Sequence, residues 1–136
     1  MKALSPAIND PYTSIQSLEH IGVVLAALAR RQLGSQRLVD ASGTVRVLMP
    51  GRDLAYFLEL AVGQIRRYGR AEPRVLRALL RVLSTTGGFC RDAASRELVA
   101  GQVRLVLEAA VASVRQPADL VPVRAHADQV LRQLAG

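Results

Sequence analysis

Tryptophan is absent from this chain of 136 residues, and only two Phe and three Tyr are present. A core without aromatic bulk has to be built from Leu, Val and Ala, which favours packed helices over aromatic-rich strands. Cysteine is nearly missing too. Cys90 stands alone, so no internal disulfide can form and a reducing compartment is expected. With His20, His126 and that one thiol, the chain lacks the three or four converging ligands that a zinc site needs. Lysine is represented by Lys2 only. No apolar run reaches bilayer length: the best uncharged stretch, from His20 to Ala29, is about half of the ~20 residues a spanning helix requires. Ser5-Pro6 and Asn9-Asp10-Pro11 interrupt the start of the chain before any apolar region develops, so no cleavable signal is expected.

What is present is aliphatic and basic. Half the residues are hydrophobic, and 18 Lys and Arg against 11 Asp and Glu leave a formal net charge of +7. A chain of this size buries roughly two-thirds of its unfolded surface, enough for one core without staples. The preference for Arg over Lys, beside abundant Ala, Val, Leu and Gly, fits a GC-rich genome. The excess of cations over acids has no such explanation and points to phosphates, on nucleic acid or on lipid.

Periodicity divides the chain into five helices. Asp10 caps and Pro11 opens the first, in which Ile15, Leu18, Gly22, Leu25 and Ala29 recur at spacings of three and four, widened by Ile21 and Leu28. It is expected to run to about Gln32 and stop at Gly34. From Gln36 to Met49 the pattern changes: Leu38-Val39 and Val45-Arg46-Val47-Leu48 read as strands joined by Asp40-Ala41-Ser42-Gly43, with Gly43 in the left-handed position. A lone ribbon is marginal in water, so this hairpin is expected to lie on a helix or pair with a neighbour. Asp53 caps a second helix with Leu54, Phe57, Leu58, Ala61, Ile65 and Tyr68 inward, closed by Gly69. Pro73 opens a third, with Leu76, Leu79, Leu80 and Leu83 inward, ending near Thr86-Gly87-Gly88. Asp92 caps a long fourth that buries Val99, Val103, Val106, Ala110 and Val114 and stops at Pro117. The last is expected to start at Asp119, with Pro122 in its first turn and Val123, Ala127, Val130, Leu131 and Leu134 inward. The fold class is mainly α: a bundle of about five helices with one small β-hairpin, in a single domain over residues 1–136.

Two features carry functional information. The first is Ala3-Leu4-Ser5-Pro6-Ala7-Ile8-Asn9-Asp10-Pro11-Tyr12-Thr13. Two prolines fix its backbone, and Ser5, Asn9, Asp10 and Thr13 supply hydrogen-bonding groups at a helix N-terminus. That arrangement serves as a rigid cap or as a small polar docking surface. The run, together with Gln64-Ile65-Arg66-Arg67-Tyr68-Gly69, resembles the signature of a bacterial family of predicted integral membrane proteins catalogued as a domain of unknown function. There the first segment reads Arg-Ala-Leu-Ser-Pro-x-Ile-Asn-Asp-Pro-(Phe/Tyr)-Thr and follows several N-terminal membrane-spanning helices. The likeness is dense over residues 2–20 and 64–69 and weak after about residue 90. Lys2 stands where Arg is usual, and the spanning helices are missing, so the chain is expected to be an excised soluble portion, the alternative being a naturally short member. The resemblance implies a place at the cytoplasmic face of the inner membrane and the protein's own N-terminal membrane helices as a partner.

The second feature is an arginine stripe. Arg66, Arg67, Arg70, Arg74, Arg77 and Arg81 fall close together against a single acid, Glu72, and Arg74, Arg77 and Arg81 share one face of the third helix. Such a stripe is a solvated face paired with acids such as Glu59 and Glu97, or a surface for anionic lipid near membrane helices, where each Arg gains about 1 kcal/mol. Nucleic acid is the rival partner. Base reading or stacking calls for interleaved amides or aromatics, and Tyr68 is the one candidate nearby. A third reading, a small hydrolase or transferase, requires a pocket lined by Asp10, His20 or Tyr68, and no nucleophile elbow accompanies them. The expectation is a non-enzymatic assembly or regulatory domain without cofactor. Its interaction residues are Ser5, Asn9, Asp10, Thr13, Gln64, Arg66, Arg67, Tyr68, Arg70, Arg74, Arg77 and Arg81. An anionic membrane surface or acidic partner meets the arginines, and the hairpin edge allows a homo-oligomer. The alternative is a nucleic-acid-binding helical domain.

Overall fold

A computed structural model describes residues 10–136, so Ser5 and Asn9 lie outside the described residues. Five helices carry one antiparallel hairpin. α1 (Pro11–Ala29) starts as expected: Asp10 Oδ1 accepts from the Thr13 backbone N–H at 3.1 Å, and Pro11 occupies the first turn. It ends at Ala29, earlier than Gln32, because the Arg30 N–H turns back to the Leu28 carbonyl. Its buried residues are Ser14, Leu18, Gly22, Leu25, Ala26 and Ala29.

The hairpin consists of β1 (Gln36–Val39) and β2 (Val45–Met49), paired Gln36 with Met49, Arg37 with Leu48 and Leu38 with Val47. The register then slips, Val39 pairing with Val45, so Arg46 is the bulged residue. Gly43 takes φ +81° at the tip. The expectation that the ribbon lies on a helix fails: every residue of both strands is exposed. The hairpin projects from a narrow root. The Gly34 N–H donates to the Arg52 carbonyl at 3.0 Å, and a Cβ on Gly51 would collide with the Gly34 carbonyl oxygen. Only glycine fits where the two backbones meet so closely.

α2 covers residues 54–69 in three parts: an α segment Leu54–Leu58, a π-helical turn Glu59–Gly63, and an α segment Gln64–Gly69. A π turn adds one residue to the helix and rotates its C-terminal half back by about 100°. Val62, Ile65 and Gly69 are therefore buried after Leu58, while Tyr68, expected inward, points to solvent, and Phe57 and Ala61 are only half-buried.

α3 (Pro73–Gly88) is the central helix, packed on α1, on α4 (Ala93–Ser113) and on α5 (Pro117–Ala135). Nine of its residues are buried, from Val75 to Gly87. Close approach is built into it: Val82 packs on Gly22 of α1, and the Leu134 side chain of α5 fills the space where a Gly87 Cβ would stand. α4 is capped by Asp92, whose carboxylate takes the Ser95 N–H at 2.7 Å. α5 begins at Pro117, two residues ahead of the expected start, because Pro117 itself serves as the first helical residue after Gln116. Pro122 therefore lies in the second turn and removes one bond to the Ala118 carbonyl. The buried face Val123, Ala127, Val130 and Leu134 holds the helix regardless.

Candidate functional site

At the start of α1 the carboxylate of Asp10 serves as the helix cap. It accepts from the Thr13 backbone and from the Thr13 hydroxyl, the latter at 2.5 Å, and these bonds hold its pKa below the ordinary carboxylate value. The Ser14 hydroxyl donates to the Asp10 carbonyl at 3.0 Å. Asp10 and Thr13 thus form a reciprocal cap in which each carboxylate oxygen takes one hydrogen bond from Thr13.

The second group is organised by the π turn. Glu59 reaches along the helix, over Gly63, where its Oε1 occupies the space a Cβ would need, to receive Arg67 Nη2 at 2.8 Å. Its other oxygen stands 3.7 Å from Arg66 Nη2. Arg66 is 16% exposed in its side chain, and its Nε has no hydrogen-bond partner among the described residues. Arg67 and Tyr68 project outward, and Gln64 and Arg67 line a small cleft with Tyr56 and Leu60. Arg66 and Arg67 are therefore gathered around the Glu59 carboxylate, Gln64 shares its cleft, and Tyr68 stands apart in solvent.

The third group is the outer strip of α3. Burial of most of its circumference leaves Arg74, Arg77, Arg81 and Thr85 as the exposed line, at spacings of three and four. Arg70 sits in the turn before it. Among the described residues none of Arg70, Arg74, Arg77 or Arg81 forms an ion pair. The Glu72 carboxylate instead accepts from the Arg74 backbone N–H as the helix cap, and Glu97 pairs with Arg104 at 2.7 Å. The potential of the strip registers on α5: His126 has its pKa lowered by partial burial, and further by Arg77 and Arg81.

Sequence reasoning missed a feature on α1. The C-terminal half of its outer face is apolar: Val23 is 73% and Val24 58% exposed, beside the exposed Ala27. On one side an apolar groove of about 400 Å³ lies between Val24, Leu28, Phe57 and Leu60. On the other, a groove of about 590 Å³ has Leu18, Gly22, Ala78 and Val82 as its floor and Arg30, Arg81 and Glu19 at its rim. Arg30 is held in place by stacking on Phe89, its guanidinium carbon 3.9 Å from the ring centre. The signal was available in the uncharged run from His20 to Ala29: a helix apolar all round has more than one side to cover. The arginine strip and this apolar ridge are neighbours, since Arg81 belongs to both.

The residues of the hydrolase reading are engaged separately. Asp10 caps, His20 Nδ1 contacts the Gln16 carbonyl at 2.8 Å on the exposed side of α1, and Tyr68 faces solvent. The groove that His20 lines includes neither Asp10 nor Tyr68. Cys90 is buried, its thiol directed at the Thr86 carbonyl at 3.5 Å and raised in pKa by burial and by Asp92. No helix among the described residues is long and apolar enough to cross a membrane.

Comparison with known proteins gives one consistent result. The family described as "Predicted membrane protein (DUF2254)" matches residues 1–85. Uncharacterised proteins of Mycobacterium tuberculosis and Mycobacterium bovis are 43% identical over 110 residues, which is 81% of this chain and 21% of theirs. The chain thus spans about a fifth of the length of the curated relatives it matches. No solved structure matches it.

Proposed function

From the premise that the chain belongs to the DUF2254 family of predicted membrane proteins, we propose that it is a non-catalytic accessory domain that docks on the anionic cytoplasmic face of a bilayer. The domain follows the membrane-spanning part of the longer protein. The Asp10–Thr13 cap fixes where α1 begins. One observation carries the reading: among the described residues the strip Arg74, Arg77 and Arg81 lacks carboxylate partners, and it adjoins the exposed Val23 across the groove rimmed by Arg30 and Arg81. Guanidinium groups beside exposed aliphatic side chains suit the headgroup boundary, where the cations meet phosphates and the aliphatics reach the upper acyl chains.

Three arginines at about 1 kcal/mol each correspond to a change of roughly 150-fold in partitioning at low salt. Flotation with vesicles of phosphatidylcholine alone and with added phosphatidylglycerol measures it. Binding is expected only to the anionic vesicles, to weaken with salt, and to be lost in the variant Arg74→Glu, Arg77→Glu, Arg81→Glu. A duplex DNA titration across salt runs in parallel. Tight DNA binding without any vesicle preference refutes the membrane reading in favour of a nucleic-acid partner for the same strip.

A further inference from the structure

We propose that two copies of this chain pair through the open edge of β2, joining their hairpins into one four-stranded antiparallel sheet about a twofold axis at Val47. This goes beyond the bilayer-docking reading and uses a different surface.

The starting observation is the bare arm. Leu38, Val39, Val45, Val47, Leu48 and Met49 are all between 42% and 62% exposed. They divide between the two faces of the ribbon, Leu38, Val47 and Met49 on one and Val39, Val45 and Leu48 on the other. A two-stranded ribbon gains too little to be stable by itself, whereas four strands with an apolar face hold together. The root at Gly34 and Gly51 keeps the arm clear of the helices, so both its edges are open to another strand.

A bilayer is the poorer occupant. The tip would lead into hydrocarbon with Asp40, whose carboxylate is bound by Ser42, Arg46 and Thr44 and held at a pKa of about 2. Aliphatic residues also stand on both faces of the ribbon, Leu38 and Val47 on one and Leu48 on the other, and a flat lipid surface covers one face only.

A second copy fits, and the sequence of β2 selects the register. β2 is the longer and more aliphatic edge. An axis on Arg46 would set two guanidinium groups directly opposite each other. An axis on Leu48 would set Arg46 opposite Pro50 of the second copy, which has no N–H to give. An axis on Val47 sets Arg46 opposite Leu48 and Val47 opposite itself. Val47 and Met49 share a face by strand alternation, and Leu38 joins them through its pairing with Val47, while the slip at Arg46 turns Val45 to the other face with Val39. The result is an aliphatic band of Leu38 and Val47 from both copies across four strands, flanked by Met49, with no like charges in contact.

The test is specific to that register. Residues opposite each other in an antiparallel pair have Cα atoms about 4.5–5.5 Å apart, within disulfide reach, whereas the two β1 strands would lie about 14 Å apart. Analytical ultracentrifugation of the chain should show a dimer at tens of micromolar, and Val47→Lys should raise the dimer Kd at least tenfold while leaving the helical circular dichroism unchanged. In a Cys90→Ala background, Val47→Cys should oxidise to a covalent dimer and Leu38→Cys should not. A chain monomeric at 100 µM, crosslinking at Leu38 but not at Val47, or hairpin amides protected from exchange only when vesicles are added, would overturn the proposal. None of these outcomes bears on the arginine strip, so the two readings stand or fall separately.

Discussion

Removal of the Glu59 carboxylate is the sharpest probe of the π turn. Arg66 holds its guanidinium at 16% exposure, its Nε unpartnered, with the nearest acid oxygen at 3.7 Å. Stranding a fully buried ion costs about 3–5 kcal/mol. Here the contact is longer than a hydrogen bond and Glu59 is 45% exposed, so water shares its charge. The expected loss for Glu59→Ala falls to about 1–2 kcal/mol, of which the exposed Arg67 pair supplies at most ~0.5. Arg66→Met keeps the apolar stem and removes the charge, and should be close to neutral. On that background Glu59→Ala should cost no more than about 0.5 kcal/mol, giving a coupling energy near 1 kcal/mol. Urea unfolding followed by helical circular dichroism reads this directly. With a slope of roughly 1–3 kcal/mol/M the single variant shifts the midpoint by about 0.3–2 M. If the two substitutions add to within ~0.3 kcal/mol, Arg66 does not depend on Glu59, and the account of the π turn as a charge clamp is wrong.

The same geometry sets three further outcomes. Gly51→Ala forces a Cβ against the Gly34 carbonyl and should cost about 1–3 kcal/mol at the root of the arm, seen as faster amide exchange in residues 36–49 with the helical amides unchanged. Leu79→Ala, at a wholly buried position of the central helix, should lose about 2–5 kcal/mol and lower the thermal midpoint, with the larger figure if the neighbours cannot collapse. His126 titrates below its ordinary value of 6.5 in the folded chain, so the unfolded chain takes up the proton first: stability should fall as pH drops through 6.5 and level off below the folded pKa. An NMR titration should show that pKa rise in Arg81→Gln, and His126→Gln should flatten the pH dependence of stability over the same window.

Much of this architecture was legible because caps and periodicity act locally. Asp10, Asp53 and Asp92 each accept the backbone N–H that their position at a helix start implies, and Gly43 adopts the left-handed turn that a short hairpin demands. Tyr68 was placed wrongly because the π turn at Glu59–Gly63, where the Glu59 carboxylate lies over Gly63, has no periodic signature. The start of α5 was misplaced because Asp119 resembles a cap, whereas Gln116 and Pro117 begin the helix without any side-chain cap bond. The arginine strip could be read from spacing on α3, since burial of Leu76, Leu79 and Leu83 fixes the opposite face. The uncharged run from His20 to Ala29 announced an apolar α1, but which side of it would stay uncovered, and that the hairpin would stay bare, were out of reach. Composition says which residues are apolar, and only the packing of α3 against one side of α1 says which of them remain uncovered.

The meeting of Gly34 and Gly51 has a practical reading. Where two backbones touch side by side, everything distal to them is a cassette: its ends already lie together, and the helices on the proximal side do not register its length. The sixteen or so residues beyond that seam can be shortened, extended or exchanged for a tag or a foreign strand pair with the five-helix body left intact. Whatever the arm grips, its grip can be rewritten there independently of the fold that carries it.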